Sequence, residues 1–247
     1  MAACPDSRCD GSGFLYDEDT RRARDCSCRP RRIARRKARK LAGVIPRRFQ
    51  GVSFDRAPVT LIEPTVVREV RKYVDGLEQN LRDGKGIWFE GDVGTGKTTL
   101  AMLISAEALR QGHSVAIYSL PRLLGLLRET FSDESEASLS TLLGRLAAVE
   151  LLHIDDVGAE QSSPWVLEQL YTIVNTRYED GRAVVLTTNL SPPELQEQIG
   201  ERTVSRITEM CGDPLLLKGT DQRISMPDPF DDGPLPYGEP RARRLAS

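Results

Sequence analysis

The segment Gly91-Asp92-Val93-Gly94-Thr95-Gly96-Lys97-Thr98 constrains this chain more than any other. It spells G-x-x-x-x-G-K-[ST], with Thr99 following. An apolar run, Ile87-Trp88-Phe89, precedes it and a helical pattern, Leu100-Ala101-Met102-Leu103-Ile104, succeeds it. A strand that enters a Gly-rich turn and leaves as a helix brings backbone N–H groups and a helix N-terminus around one point. Glycines let those N–H groups curl around phosphate oxygens with no Cβ in the way. In such a loop Lys97 reaches the β- and γ-phosphates and the Thr98 hydroxyl ligates Mg²⁺, so the pattern predicts binding of ATP with Mg²⁺. A Gly-rich turn before an ordinary helix is the bland alternative, and it leaves the Lys-Thr pair unexplained.

Around this loop the pattern alternates. Apolar runs predict strands near 86–90, 114–118, 149–155, 183–188 and 214–217. Helical periods fall near 97–111, 121–131, 138–147, 163–180 and 193–211. Continuous apolar runs such as Val149-Glu150-Leu151-Leu152-His153-Ile154 belong to a parallel sheet covered on both faces. Upstream, Pro64 opens a helix whose apolar positions Val66, Val70, Tyr73, Val74, Leu77 and Leu81 keep the 3.6-residue period up to Asp83-Gly84. The expected class is α/β, with a parallel five-stranded sheet between helices. The stretch Ser132–Ser140 reads as a surface loop, and the Pro- and Asp-rich residues from Met226 onward as a disordered tail.

Two strand ends carry polar residues that suit a nucleotide. His153-Ile154-Asp155-Asp156 ends one strand with paired acids. In a phosphate-loop protein Asp155 would hold Mg²⁺ opposite Thr98, and Asp156 would act as general base on the attacking water. Alternatively, Asp156 is a turn acid capping the next element. Val184-Val185-Leu186-Thr187-Thr188-Asn189 ends another strand with an amide, at the edge where open α/β sheets bind ligands. Asn189 either senses the γ-phosphate and the water or caps the helix that begins near Pro192-Pro193. Arg202 and Arg206, four apart on one helix face, either reach a neighbouring subunit's nucleotide or are ordinary surface arginines.

The first residues differ in kind from the rest. Residues 1–48 hold 14 Lys and Arg against 6 Asp and Glu, a net of +8 in a chain whose total is −2. Such a tract points to nucleic acid or an acidic protein surface, or else to a solvated helix that aids solubility. Cys4, Cys9, Cys26 and Cys28 lie within the first 28 residues, with Gly11-Ser12-Gly13 between the pairs. In a cytosolic chain paired cysteines predict metal before disulfides, and four thiolates suit tetrahedral Zn²⁺. Free thiols or an iron–sulfur cluster are the alternatives. Cys211 reads as a small buried hydrophobe. No apolar run approaches a membrane span, and Met1 to Asp6 lack the apolar region of a secretory signal, so cytoplasmic residence is the expectation. The expected organisation is a Cys-rich zinc-binding segment at 1–30, a basic helix or linker at 31–50, the main domain at 51–225 and a tail at 226–247.

The phosphate loop, the Asp-Asp strand, the Thr-Thr-Asn strand and the arginine pair occur in the order found in AAA+ ATPases. More narrowly, the chain resembles the DnaC/IstB family in four places: Ile45-Pro46-Arg47-Arg48-Phe49, Leu151 to Gly158, Thr187-Thr188-Asn189-Leu190 and Glu201-Arg202-Thr203-Val204-Ser205-Arg206. That family comprises replicative-helicase loaders and the helper ATPases of certain transposons. The resemblance covers roughly 44–225 and implies an AAA+ core with a minimal or absent C-terminal lid. It also implies Asp155 on Mg²⁺, Asp156 as base and Asn189 as sensor. Arg206 is the better trans-acting arginine, Arg202 faces its own or a neighbouring site, and Arg223 substitutes for a lid arginine. Asp156 departs from the usual Glu by one methylene, which implies slow turnover. The cysteine leader is similar to the zinc-binding leaders of some loaders.

The expectation is therefore an ATP-hydrolysing helicase loader that binds a DnaB-like replicative helicase and single-stranded DNA and self-associates in a ring or spiral. DNA contacts would fall between the 114–118 and 149–155 strands, around Arg122 and Arg128, where aromatics are limited to Tyr118 and Phe131. A transposition helper that binds duplex DNA and a transposase is the near alternative. A small-molecule kinase would leave the Thr-Thr-Asn strand and the arginine helix without roles, and a nucleic-acid adaptor with a dead nucleotide site would leave Lys97, Thr98, Asp155 and Asp156 without them.

Overall fold

The structure, a computed structural model, describes Cys4 and residues 7–17, 21–29, 45–130, 139–160 and 162–219. Residues 31–44 of the expected basic helix or linker, Phe131, most of the loop 132–140, Arg223 and the tail lie outside the described residues. So does any lid beyond Gly219.

The chain begins with an antiparallel hairpin, β1 (Phe14–Asp17) and β2 (Arg22–Asp25). Two helices follow, α1 (Pro64–Asp75) and α2 (Leu77–Arg82), and then β3 (Ile87–Gly91) leads into α3 (Lys97–Arg110). The remaining elements alternate. They are β4 (Val115–Ser119), α4 (Leu120–Glu129), α5 (Leu139–Ala148), β5 (Leu151–Asp155), α6 (Pro164–Glu179), β6 (Ala183–Thr188), α7 (Pro192–Ile199), α8 (Glu201–Cys211) and β7 (Leu215–Leu217). All five later strands pair in parallel in the order β4-β5-β6-β3-β7. The strand that feeds the phosphate loop is therefore flanked by β6 and β7, and every strand tip points to one edge.

Alternation along the strands divides the core in two. Ile87, Phe89, Val115, Ile117, Leu151 and Val185 pack with Val66, Val70, Val74, Leu77 and the apolar side of α3. Trp88, Ala116, Leu152, Ile154, Val184 and Leu186 face the other way, onto leucines of α4 and α5 and onto α6, α7 and α8. Burial on both faces explains why the strand runs carry almost no polar residue. Ile45 and Phe49 of the family-like lead-in, and Val52 and Phe54 after it, pack against the first of these layers.

Two expected single helices are each broken at a glycine. Between α1 and α2, the Asn80 side-chain amide donates to the Tyr73 carbonyl at 2.9 Å, taking the acceptor that a continuous helix would give to Leu77. Between α7 and α8, Gly200 sits at φ 90°, a conformation an ordinary residue resists and one that ends a helix. The bend lets Leu195 and Ile199 share one core with Val204, Ile207 and Met210.

Candidate nucleotide site and cysteine cluster

Gly91 and Gly96 shape the loop between β3 and α3. A Cβ on Gly91, at φ 146°, would stand 2.1 Å from the Leu217 carbonyl oxygen of β7. A Cβ on Gly96, at φ 101°, would meet Ile62 Cδ1 at 2.5 Å, so neither site accepts another residue without displacement. Lys97 is buried at 5 % exposure, and its ammonium donates to the carbonyls of Gly91 and Asp92, both at 2.7 Å. Thr95 Oγ1 donates to the Asp92 carbonyl at 2.8 Å, which holds the loop in its wrapped form. The lysine charge thus stands at the open end of α3, where a triphosphate would take it over from the two carbonyls.

Asp155 closes β5 in the same place. Burial works against its ionisation, yet the His153 ring and the hydroxyls of Thr187 and Thr98 outweigh that and hold the carboxyl below its usual range. Thr187 Oγ1 donates to Asp155 Oδ1 at 2.7 Å and accepts the Asp156 backbone N–H at 2.9 Å. One hydroxyl from β6 therefore orients both acids. Thr98 and Asp155, the two expected Mg²⁺ groups, are within hydrogen-bonding reach of one another. Their oxygens form the hard donor set that such a cation requires, so the residues fit the ion.

Asp156 has φ 57°, a left-handed backbone that Asp and Asn tolerate better than other non-glycine residues. The hydrogen bond from its N–H to Thr187, and one from Val157 N–H to the Thr187 carbonyl at 2.8 Å, hold it there. Asn189 is exposed at the tip of β6. It does not cap α7: Ser191 does, in a reciprocal box with Glu194. That leaves the amide at the strand tip for another purpose.

The arginine pair lies on a different surface. Thr203, Val204 and Ile207 turn the inner face of α8 to the core, while Glu201, Arg202, Ser205 and Arg206 line an outer cleft of about 440 Å³ with Tyr171 of α6. Arg206 is already engaged. Its guanidinium stacks 4.2 Å from the Tyr178 ring centre and donates to Glu209 at 3.1 Å. Arg202 is exposed and makes no ion pair among the described residues.

Several residues near the tips escaped the sequence reading. Thr187 lies within a motif whose last residue drew all the attention. His153 is fully buried in β5, with Nδ1 3.0 Å from Ser105 Oγ and Nε2 3.9 Å from Asp155 Oδ1. Ser105 gives its proton to the Ala101 carbonyl at 2.9 Å, so Nδ1 is the donor in that contact. Glu160 follows the acids, and its Oε1 is buried without a hydrogen bond. Burial, and then the charge of Asp156, push that carboxyl up. A lone histidine in an apolar strand was the available signal for the first of these; Glu160 had none.

The four leader cysteines converge. Their sulfurs all lie within 4.8 Å of one another, with Cys4 to Cys26 at 3.8 Å and Cys9 to Cys28 at 3.6 Å. A tetrahedral Zn²⁺ with Zn–S bonds near 2.3 Å separates its sulfurs by about 3.8 Å, so the spacing fits zinc. Burial, then hydrogen bonding to the other cysteines, push the Cys28 thiol up to about 12, so a bound cation would be needed to hold it as thiolate. Cys211, by contrast, packs at the margin of the second core layer, where burial raises its thiol pKa.

A wrapped phosphate loop beside two acid-bearing strand tips, on a sheet ordered β4-β5-β6-β3-β7, defines an ATP-binding protein with the AAA+ fold. The model of the IstB-like ATP binding protein family matches residues 68–210, more than half of the chain, and the chain belongs to that family. It is 32% identical over 139 residues to the replicative helicase loader DnaC of Escherichia coli, a match covering 56% of this chain and 55% of that one. The chain thus spans about half the length of the curated loaders it matches. It is 30% identical over 214 residues to the phage-like element PBSX protein XkdC of Bacillus subtilis, covering 81% of this chain and 76% of that one. Among solved structures, a crystal structure of the DnaC helicase loader superposes with a TM-score of 0.61 at 26% identity, over 70% of this chain and 99% of that one. No helix among the described residues is long and apolar enough to cross a membrane.

Proposed function

We propose that this protein is an ATP-dependent helicase loader that binds a replicative DNA helicase and single-stranded DNA and uses ATP hydrolysis as an assembly switch. The observation that carries the proposal is the meeting of Lys97, Thr98 and Asp155 at one sheet edge, joined to a basic leader that carries a cysteine cluster. When bound, Mg²⁺ neutralises developing charge on the β- and γ-phosphates. The chain's own residues supply the rest. Loop N–H groups and Lys97 hold phosphate oxygens, and Thr98 and Asp155 hold the metal. Asp156 accepts a proton from water, and Asn189 orients that water against the γ-phosphate. Thr187 fixes the acids at the required angle without touching the nucleotide.

Self-association completes the site in this reading, because the arginines of α8 face outward. Arg202, which makes no ion pair among the described residues, reaches a neighbour directly, whereas Arg206 must first leave Tyr178 and Glu209. Either guanidinium would stabilise charge on the transferring phosphoryl group. The leader, with zinc on Cys4, Cys9, Cys26 and Cys28, grips the helicase, and residues 1–30, 31–50 and 51–225 act as separate units in that task. Similarity to DnaC supports this assignment. The family match equally favours a second reading, a transposition helper that binds duplex DNA and a transposase.

Co-purification with a replicative helicase, with and without ATP, tests the proposal, followed by addition of single- or double-stranded DNA. Capture of the helicase with release or retention governed by ATP supports the loader. Indifference to the helicase together with ATP-dependent binding of duplex DNA assigns the transposition role instead. Chelation or Cys→Ser changes in the leader should weaken helicase capture while leaving ATP turnover intact.

A further inference from the structure

The guanidinium of Arg206 is held on its own chain from two directions. Its central carbon lies 4.2 Å from the centre of the Tyr178 ring, and a terminal nitrogen donates to the Glu209 carboxylate at 3.1 Å. Tyr178 comes from the last turn of α6 and Glu209 from the turn of α8 after Arg206, so two elements build this seat. The seat is itself tied together. A hydrogen bond from the Tyr178 hydroxyl, and then the charge of Arg206, hold the Glu209 carboxyl below its usual range, with burial opposing them. It also lies toward the strand starts. Arg177, next to Tyr178, donates to the Ala183 carbonyl at the start of β6, and the Met210 carbonyl accepts from Gly86 just before β3. From those starts, strands of five and six residues run about 17 Å to the tips that carry the phosphate loop. A stacked Arg206 therefore serves no phosphate on its own chain, although its side chain is 34 % exposed and lines the outer cleft.

We infer that Tyr178 and Glu209 stow Arg206 on its own chain until a second copy draws it onto that copy's triphosphate. Release to a second copy rests on the self-association proposed above. A ring stack and a surface ion pair are each weak contacts, so the seat fixes one rotamer without locking it. A triphosphate carries more charge than one carboxylate, and pairs of its oxygens match the guanidinium fork. The exchange of partners is then favourable once a neighbour's nucleotide comes within reach. Before that, the seat reduces the fraction of chains whose Arg206 is free, and with it the apparent affinity between copies. Tyr178 and Glu209 are positioning residues in this scheme: they act through Arg206 and touch no nucleotide.

The test is sedimentation of the full chain with Mg²⁺ and a non-hydrolysable ATP analogue, alongside ATP turnover per subunit over a range of protein concentrations. Glu209→Gln removes the charge at an exposed side chain. Tyr178→Leu keeps apolar packing but removes the ring face and the hydroxyl. Each should assemble at a concentration about three- to tenfold below that of the parent. Turnover per subunit should reach the same plateau at correspondingly lower concentration, and urea midpoints should stay close to the parent's. Tyr178→Phe, which keeps the stack, should shift assembly less. On an Arg206→Ala background neither change should shift it, since no guanidinium is left to stow. A shift to higher concentration, or a lower plateau, overturns the inference, because Tyr178 and Glu209 would then aim the arginine rather than withhold it. An equal shift on the Arg206→Ala background overturns it as well. A parent that neither assembles nor changes its turnover with concentration removes the proposed self-association and the stowed state with it. A concentration-dependent parent matched by both variants removes the stowed state alone.

Discussion

The two edges of the central sheet treat polar groups in opposite ways. At the strand starts, Arg177 is completely buried and donates to the carbonyls of Leu146, Val149, Glu150 and Ala183 at 2.6 to 3.2 Å. Beside it Glu150 accepts from His113 at 3.0 Å and from the backbone and hydroxyl of Ser114 at 2.9 and 3.0 Å. At the strand tips, Lys97 rests on two carbonyls, His153 Nε2 and Glu160 Oε1 are buried without a hydrogen bond, and Asp156 holds a left-handed backbone. One edge uses its hydrogen-bonding capacity on the fold, apart from Arg177 Nε, which is buried without a hydrogen bond. The other keeps capacity in reserve, as expected where a ligand is to complete the site.

Substitutions that separate these roles test the contrast. The largest effect is expected from Lys97→Ala, which should lower ATP turnover by about a thousandfold or abolish binding. Its urea midpoint should stay close to that of the parent. Turnover that survives unchanged removes the nucleotide assignment. Arg177→Met should do the reverse, costing about 3–5 kcal/mol in urea unfolding because the carbonyls around it are left unpaired. An Arg177 variant of normal stability but poor turnover would erase the division between the edges.

Acid should act on the strand-start edge through Glu150. Burial opposes its ionisation, but hydrogen bonds from His113 and Ser114 lower the carboxyl to about 2. The folded value thus lies below the unfolded one. Its stabilisation is complete above roughly pH 4.5 and fades as pH falls toward 2, by at most about 3 kcal/mol. Glu150→Gln should flatten that part of the stability–pH curve; an unchanged slope would show that other carboxylates govern it.

Smaller effects are expected at the tips. Thr187→Val keeps the shape of β6 and removes the hydroxyl that orients Asp155 and Asp156. It should reduce turnover about tenfold, with a stability loss of about 1 kcal/mol. A large loss of stability with normal turnover would recast Thr187 as part of the fold. Asp156→Glu should raise turnover by only a few-fold, because added reach toward water is offset by the poorer fit of Glu to φ 57°. A sharp drop in turnover would show that backbone shape outweighs reach.

Much of this was readable in one dimension. The loop at 91–98, the paired acids and the parallel α/β class follow from local spacing, because a strand–turn–helix unit and a two-sided buried strand each leave a periodic trace. Even so, Gly76 and Gly200 interrupt helices whose apolar periods run on across them, since the period records which face is buried and not whether the axis bends. Arg177 has the same local appearance as any basic residue in the last turn of a helix. Only its position over the ends of α5, β5 and β6 makes it the pin of that edge.

The sequence by itself determined what kind of molecule could stand at the loop, because Lys97, Thr98 and the glycines act through atoms within a few residues of each other. Tertiary structure alone decided which partners those residues meet. Thr187 reaches Asp155 across 32 residues, and Ser191 rather than Asn189 takes the helix cap. It also decided that Arg206 stacks on Tyr178, and that Arg29 stacks on Phe14 while Tyr16 stays exposed. Hydrogen bonds and ring contacts depend on distances of a few ångströms between elements far apart in the chain, and such distances exist only after the sheet has set its order.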